Sequence, residues 1–131
     1  MIQYNKELRV RPYTSEDYST IVSYWEYHKF PSVPEKVLPP TGIVVESDVL
    51  VCAGWLYKTD SPIAWIEWIV ANPMAREKDE ALNLLIDALI AEAGSTHPVI
   101  FTSTVLPKLA ARLESFGFAK GDLAQQLIRS Y

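Results

Sequence analysis

The chain reads as a single domain, residues 1–131, of the α/β (α+β) class, with a mixed, mostly antiparallel central sheet flanked by helices. Three observations predict it. Residues 65–72 form an apolar, aromatic and β-branched run, and residues 82–93 then place Leu82, Leu85, Ile86, Leu89, Ile90 and Ala93 on one helical face. Two further β-branched runs, 42–46 and 49–57, precede that pair across short turns, as in an antiparallel meander. After Gly94 comes a short strand-like run, 98–103, and a second amphipathic helix that closes at Gly117.

In chain order, Leu8-Arg9-Val10-Arg11 alternates apolar and basic like a half-exposed strand, and Pro12 ends it. Thr14 suits a helix N-cap, with Glu16 and Asp17 near the positive end of the dipole. Tyr18, Ile21, Val22 and Trp25 give that helix its apolar face, and His28 and Lys29 fall in its last turn. Pro31, Pro34, Pro39 and Pro40 bar a regular helix from 30–40, leaving an ordered loop with a short helical turn around 33–37. Ser47-Asp48 is the tight turn of the meander, and 58–62 is its second turn. Asn72-Pro73 stops the central strand, because proline brings no N–H to the ladder. Pro107 suits a first helical turn, and Leu109, Ala110, Leu113 and Phe116 line the helix that follows. Phe118 and, past Gly121-Asp122, residues 123–129 read as final strands.

Composition narrows the function. A hydrophobic content of 49% against 21% charged residues describes a globular chain long enough for a proper core. A net charge of −4 argues against a nucleic-acid or membrane-surface binder. Cys52 is the single cysteine, so no internal disulfide forms; a reducing compartment fits, and the cytoplasm is the expected location. The first six residues carry no leader-like apolar run, and no uncharged stretch has membrane-spanning length. No repeat is present, and His28 and His97 lack metal-ligand spacing, so no metal is expected.

Three short motifs in order resemble those of the GNAT superfamily of N-acetyltransferases. They are Arg11-Pro12 with Thr14-Ser15-Glu16-Asp17, then Ala71-Asn72-Pro73-Met74-Ala75-Arg76, then Leu113-Glu114-Ser115-Phe116-Gly117-Phe118. The resemblance covers nearly the whole chain. It implies binding of acetyl-coenzyme A as co-substrate and transfer of its acetyl group to an amine of a small molecule or protein, and a homodimer is compatible with it. It also implies two splayed strands holding the pantetheine arm against the backbone of Ile69, Val70 and Ala71. The loop Arg76, Glu77, Lys78, Asp79, Glu80, Ala81 would then cradle the pyrophosphate with N–H groups at a helix N-terminus.

The chain departs from that pattern at two places. Asp79 stands where the loop has its first glycine, and a carboxylate ~5 Å from a phosphate charge at an effective dielectric of ~20 repels it by roughly 3 kcal/mol. Leu113 stands where the family often carries a tyrosine general acid, and the asparagine near the start of that helix has no match around Leu106. These departures favour a second function class, a GNAT-fold binding protein without catalysis.

Among individual residues, Glu67 is the strongest catalytic candidate. A carboxylate in the middle of an apolar strand is costly unless it has a role or a partner, and burial would raise its pKa toward that of a useful general base. Strict alternation puts it on the face of Trp65 and Ile69. The alternative is a carboxylate paired with a Lys or Arg, or lying at a solvated edge. Arg76 and Lys78 are phosphate ligands in the functional reading and a solvated first turn otherwise. The tryptophans are mostly core by position, with Tyr27, Phe30 and Trp65 the candidates for an acceptor pocket. His28 and His97 read as surface or capping residues, Cys52 as a small core residue, and Ser103 and Thr104 lack a base that would make either a nucleophile.

Overall fold

The computed structural model describes residues 7–130; the first six residues, read above for a leader, and Tyr131 lie outside it. Eight main elements follow in order: β1 (Arg9–Pro12), α1 (Tyr18–Tyr27), β2 (Thr41–Glu46), β3 (Leu50–Lys58), β4 (Ile63–Ala71), α2 (Lys78–Ala93), β5 (Val99–Thr102) and α3 (Pro107–Ser115). The strands lie side by side in sequence order, antiparallel from β1 to β4, with β5 parallel to β4. The parallel pair needs a crossover, which α2 supplies.

One helix covers each face. Ile21 and Trp25 of α1 pack with Val44, Ala53, Trp55 and Val70 on one side. Leu85, Leu89 and Ala93 of α2 pack with Ile43, Val45, Cys52, Leu56 and Ile66 on the other. Adjacent residues of β2 thus serve opposite cores, as the two-residue period of a strand requires. Cys52 is a small core residue of β3, and burial pushes its thiol up to about 12.

The N-terminal elements are fixed by charge. Asp17 caps the Thr14 backbone N–H at 2.9 Å and takes both terminal nitrogens of Arg11, at 2.9 and 2.8 Å. That guanidinium holds the Asp17 carboxyl below its ordinary range. Arg11 also reaches Glu46 at 3.0 Å, tying β1 to β2. In the proline-rich loop, Glu35–Val37 makes one 3-10 turn, as the proline spacing predicts.

The expected final strands do not form. From Phe118 to Ser130 the chain makes no ladder, and Leu123, Leu127 and Ile128 are exposed. The apolar residues of 123–129 fall at 123, 124, 127 and 128, a period that gives a strand no single inward face. Apolar residues divided between two faces give a strand no single side to pack on the core.

Candidate functional site

The site begins where two strands part. β4 and β5 are paired from Ile63↔Val99 to Ile66↔Thr102, and there β5 ends while β4 runs on to Ala71. Val99 N–H donates to Pro62 O at 3.3 Å and Thr102 Oγ1 donates to Ile66 O at 2.8 Å, so Pro62 and Ile66 direct their backbone groups toward β5. Beyond Ile66 that edge of β4 is open. Asn72 N–H bonds Val51 O on the β3 side, at 2.7 Å, so alternation turns the backbone of Ile69 and Ala71 to the open side.

A bulge sits at the apex of this cleft. Ala53 pairs with Val70 and Trp55 with Glu67, so Gly54 alone faces the two residues Trp68 and Ile69. Trp68 takes φ 67°, a left-handed conformation that is strained for a bulky side chain. Its neighbours hold it there. Its indole N–H donates to Tyr57 Oη at 2.8 Å, Tyr57 Oη donates to Val37 O at 2.9 Å, and Trp25 Nε1 donates to Trp68 O at 3.4 Å.

The bulge corrects one expectation. Ala64 and Ile66 belong to the α2-side core, which leaves Trp65 and Glu67 on the other face. Past the bulge Ile69 and Ala71 return to the α2 side, while Trp68 packs on the α1 side. Glu67 therefore shares its face with Trp65 and Trp68, not with Ile69. The carboxylate has no hydrogen-bond or ion-pair partner among the described residues, and burial alone raises its pKa. Next to it Trp65 stacks on Phe101 with ring centroids 5.0 Å apart, and both rings are exposed, at 39% and 44%.

The other acceptor candidates lie elsewhere. Tyr27 and Phe30 flank the His28 ring, at 5.3 and 5.7 Å, and His28 Nε2 contacts Ala71 O at 3.1 Å. Ala71 is six residues along β4 from Trp65, roughly 20 Å at strand rise. Tyr27 and Phe30 thus flank the far end of β4, and Trp65 stands alone of the three beside Glu67. His28 is the C-cap of α1, and its contact occupies the Ala71 carbonyl that the resemblance assigned to the pantetheine arm. Val70 turns its backbone to β3 and is buried. Of the three residues proposed for that arm, Ile69 has backbone groups that face the open side, clear of the His28 contact at Ala71.

The expected anion loop closes onto α2 one turn before the sequence pattern suggests, with Glu77 as N-cap. Lys78, Asp79 and Glu80 open the helix and have no intrahelical acceptor for their N–H groups. Ala81 does have one, since its N–H donates to Glu77 O at 2.9 Å, and its side chain is in the core. Glu77 accepts from Ser47 Oγ at 3.1 Å. Asp79 pairs with the next helix. Its Oδ1 accepts from Arg112 Nη2 of α3 at 2.6 Å. Between the start of α2 and α3 runs a groove of about 540 Å³, lined by Asp79, Asn83, Lys108, Ala111, Arg112 and Ser115. Leu113 is only 3% exposed, packed inward.

The residues around the cleft and the groove that the sequence reading did not single out are Phe101, Tyr57, Lys108 and Arg112. Phe101 alone had a local signal, an aromatic on the outward face of a predicted strand. The others reach the site only through pairing across the sheet or between helices. Among the described residues no group of three or more His, Cys, Asp or Glu side chains could hold a metal, and no helix is long and apolar enough to cross a membrane.

No protein-family model and no curated protein matches the sequence. Solved structures do match. An acetyltransferase from Trypanosoma brucei superposes with a TM-score of 0.70 at 16% identity, over 94% of this chain and 100% of the other. The ribosomal-protein-S18-alanine N-acetyltransferase of Escherichia coli gives 0.72 at 14% identity, over 88% of this chain and 80% of the other. A diaminobutyrate acetyltransferase from Paenibacillus lautus, solved with its substrate L-2,4-diaminobutyric acid and coenzyme A, gives 0.67 at 12% identity, over 86% and 75%. A mixed five-stranded sheet with one parallel pair, a helix on each face and these superpositions agree: the chain has the fold of the GNAT N-acetyltransferases.

Proposed function

We propose that the protein is an N-acetyltransferase that moves an acetyl group from acetyl-coenzyme A to an amine. The observation that carries this reading is Glu67, an unpaired and partly buried carboxylate at the apex of the β4–β5 cleft. Structures of the same fold have been solved with coenzyme A, and one of them with an amine substrate, which supports both halves of the reaction.

The residues present suit such a co-substrate. The open backbone edge at Ile69 can pair with the amides of a pantetheine arm as an added strand would. The unpaired N–H groups of Lys78, Asp79 and Glu80, with the cations Arg76 and Lys78, suit phosphate oxygens. Acetyl-coenzyme A would supply an activated thioester carbonyl. Nucleophilic attack on that carbonyl requires a neutral amine. Glu67 takes the ammonium proton, directly or through one water, and its raised pKa brings it closer to that task. The Trp65–Phe101 platform beside it offers apolar contact for the carbon skeleton of the acceptor and a ring face for its positive charge. The single buried thiol suits a cytoplasmic setting.

Titration calorimetry with acetyl-coenzyme A, followed by thiol release in the presence of a panel of amines, tests the proposal. Glu67→Gln should keep cofactor affinity and lose most of the turnover at neutral pH. The loss should narrow at alkaline pH, where the amine deprotonates unaided. Equal turnover of both proteins at neutral pH would remove Glu67 from the mechanism. A binding protein of the same fold is the second reading, favoured by the inward-packed Leu113, which can protonate no leaving thiolate. Tight cofactor binding with no transfer to any amine would select it.

A further inference from the structure

We propose that Arg112, held in place by Asp79 and Asn83, positions the phosphate-bearing end of the acyl-coenzyme A, and that the Asp79–Arg112 pair takes the place of the missing loop glycine. The proposal rests on the acyl-coenzyme A reading and names residues that this reading does not require.

Asp79 is the second residue of α2, where a lone carboxylate would repel a phosphate. It is not alone. Arg112 Nη2 donates to Asp79 Oδ1 at 2.6 Å, and Arg112 Nη1 donates to Asp79 O at 3.1 Å and to Asn83 Oδ1 at 2.7 Å. Three of the five guanidinium N–H donors are thereby used, and all three bonds go to the first turns of α2. The second Nη2 hydrogen and the Nε hydrogen remain, on a side chain that lines the groove between α2 and α3. Lys108 lies one helical turn earlier on α3 and lines the same groove.

The charge in this groove is opposite to what the sequence alone implies. Its lining carries two cations, Lys108 and Arg112, against one anion, Asp79, so the net is positive. The Asp79 side chain is 79% exposed, and that of Arg112 is 21% exposed. An ion pair with so exposed a partner adds little stability, typically about 0–1 kcal/mol. What the three bonds do achieve is to hold a planar fork in one orientation, which a flexible surface arginine lacks. A fork so fixed at a groove beside a helix N-terminus suits a phosphate or pyrophosphate, with which guanidinium pairs well.

The test uses the full chain and two probes: coenzyme A, and acetyl-pantetheine, which carries the same thiol arm without phosphates. Arg112→Ala should weaken coenzyme A at least tenfold and leave acetyl-pantetheine unchanged. Arg112→Lys keeps the charge but not the fork, and should fall between wild type and Arg112→Ala. Asp79→Asn should also weaken coenzyme A, because it loosens the fork, whereas simple charge repulsion demands tighter binding. In turnover assays Arg112→Ala should raise KM for acetyl-coenzyme A with kcat retained. Coenzyme A affinity unchanged in Arg112→Ala, parallel loss of both probes, or tighter binding by Asp79→Asn would each overturn the proposal and leave the acyl-coenzyme A reading standing. If wild type binds neither probe, both fall together.

Discussion

Gly42→Ala is expected to be costly although its backbone is ordinary strand. Gly42 is the β2 partner of Trp55 on β3, and an added Cβ would stand 2.4 Å from Trp55 Nε1, 2.7 Å from Trp55 Cδ1 and 2.9 Å from Tyr13 Cβ. Ordinary contact begins at 3.4 Å, so the overlap with the indole nitrogen is a full ångström. The indole is fully buried, with Trp25 at 5.8 Å and Tyr13 at 5.2 Å, and cannot retreat. Overpacking of this kind costs about 3 kcal/mol, the upper end of its usual range. Unfolding entropy of ~2.1 cal/mol/K per residue gives about 0.28 kcal/mol/K for this chain, so Tm should drop by ~11 °C. Thermal unfolding by circular dichroism measures it, with Gly121→Ala as the control, since nothing lies within 4 Å of that position. Trp55 Nε1 is buried without a hydrogen-bond partner, so Trp55→Phe removes an unsatisfied donor and the closest clashing atom. It should recover part of the loss in the Gly42→Ala background. A Gly42→Ala protein within ~3 °C of wild type would refute the packing argument.

Two further outcomes are open to measurement. Glu67→Gln should stabilise the fold at neutral pH. The raised pKa means that the folded state holds the proton more tightly than the unfolded chain, so the penalty is absent below the unfolded value of ~4.3 and complete above the raised folded value. Urea unfolding at acidic and neutral pH should show the variant's advantage opening as pH rises, and an advantage that shrinks with pH would contradict it. Leu113→Tyr should lower Tm, by about 1–3 kcal/mol of overpacking, without raising the transfer rate, because the site is buried. A rise in rate would mean that the new hydroxyl reaches the cleft.

The fold was legible where local pattern and tertiary packing agree. The β4 run, the α2 face and the meander turns each carry a clear local signal, and each formed. Pro107 marked the start of α3 because it removes an N–H that a helix start leaves unpaired anyway. The C-terminal residues misled because apolar content was read as strand, although Leu123, Ala124, Leu127 and Ile128 supply no single inward face. Helix α2 starts at Lys78, earlier than its apolar stripe, because its first turn is polar and gives no periodic signal.

The candidate base was legible as a residue, and its surroundings were not. Glu67 was visible because a lone carboxylate inside an apolar strand is conspicuous at any register. Its neighbours depended on a bulge, and a strict two-residue alternation from Trp65 assigns Ile69 to the wrong face. The mismatch shows only in the packing: Ile66 and Ile69 are three apart, yet both pack against the α2 side, and one inserted residue reconciles them. Gly54 completes it from β3, since a Cβ there would come 3.1 Å from both Ile69 Cγ1 and Leu89 Cδ1. The bulge thus does two things at once. It presses Ile69 inward against α2, and it turns Trp68 onto the face of Glu67 beside the point where β5 leaves β4. The proposed base therefore owes its unpaired position to Trp68, Gly54 and the Tyr57–Val37 contact as much as to its own place in the sequence.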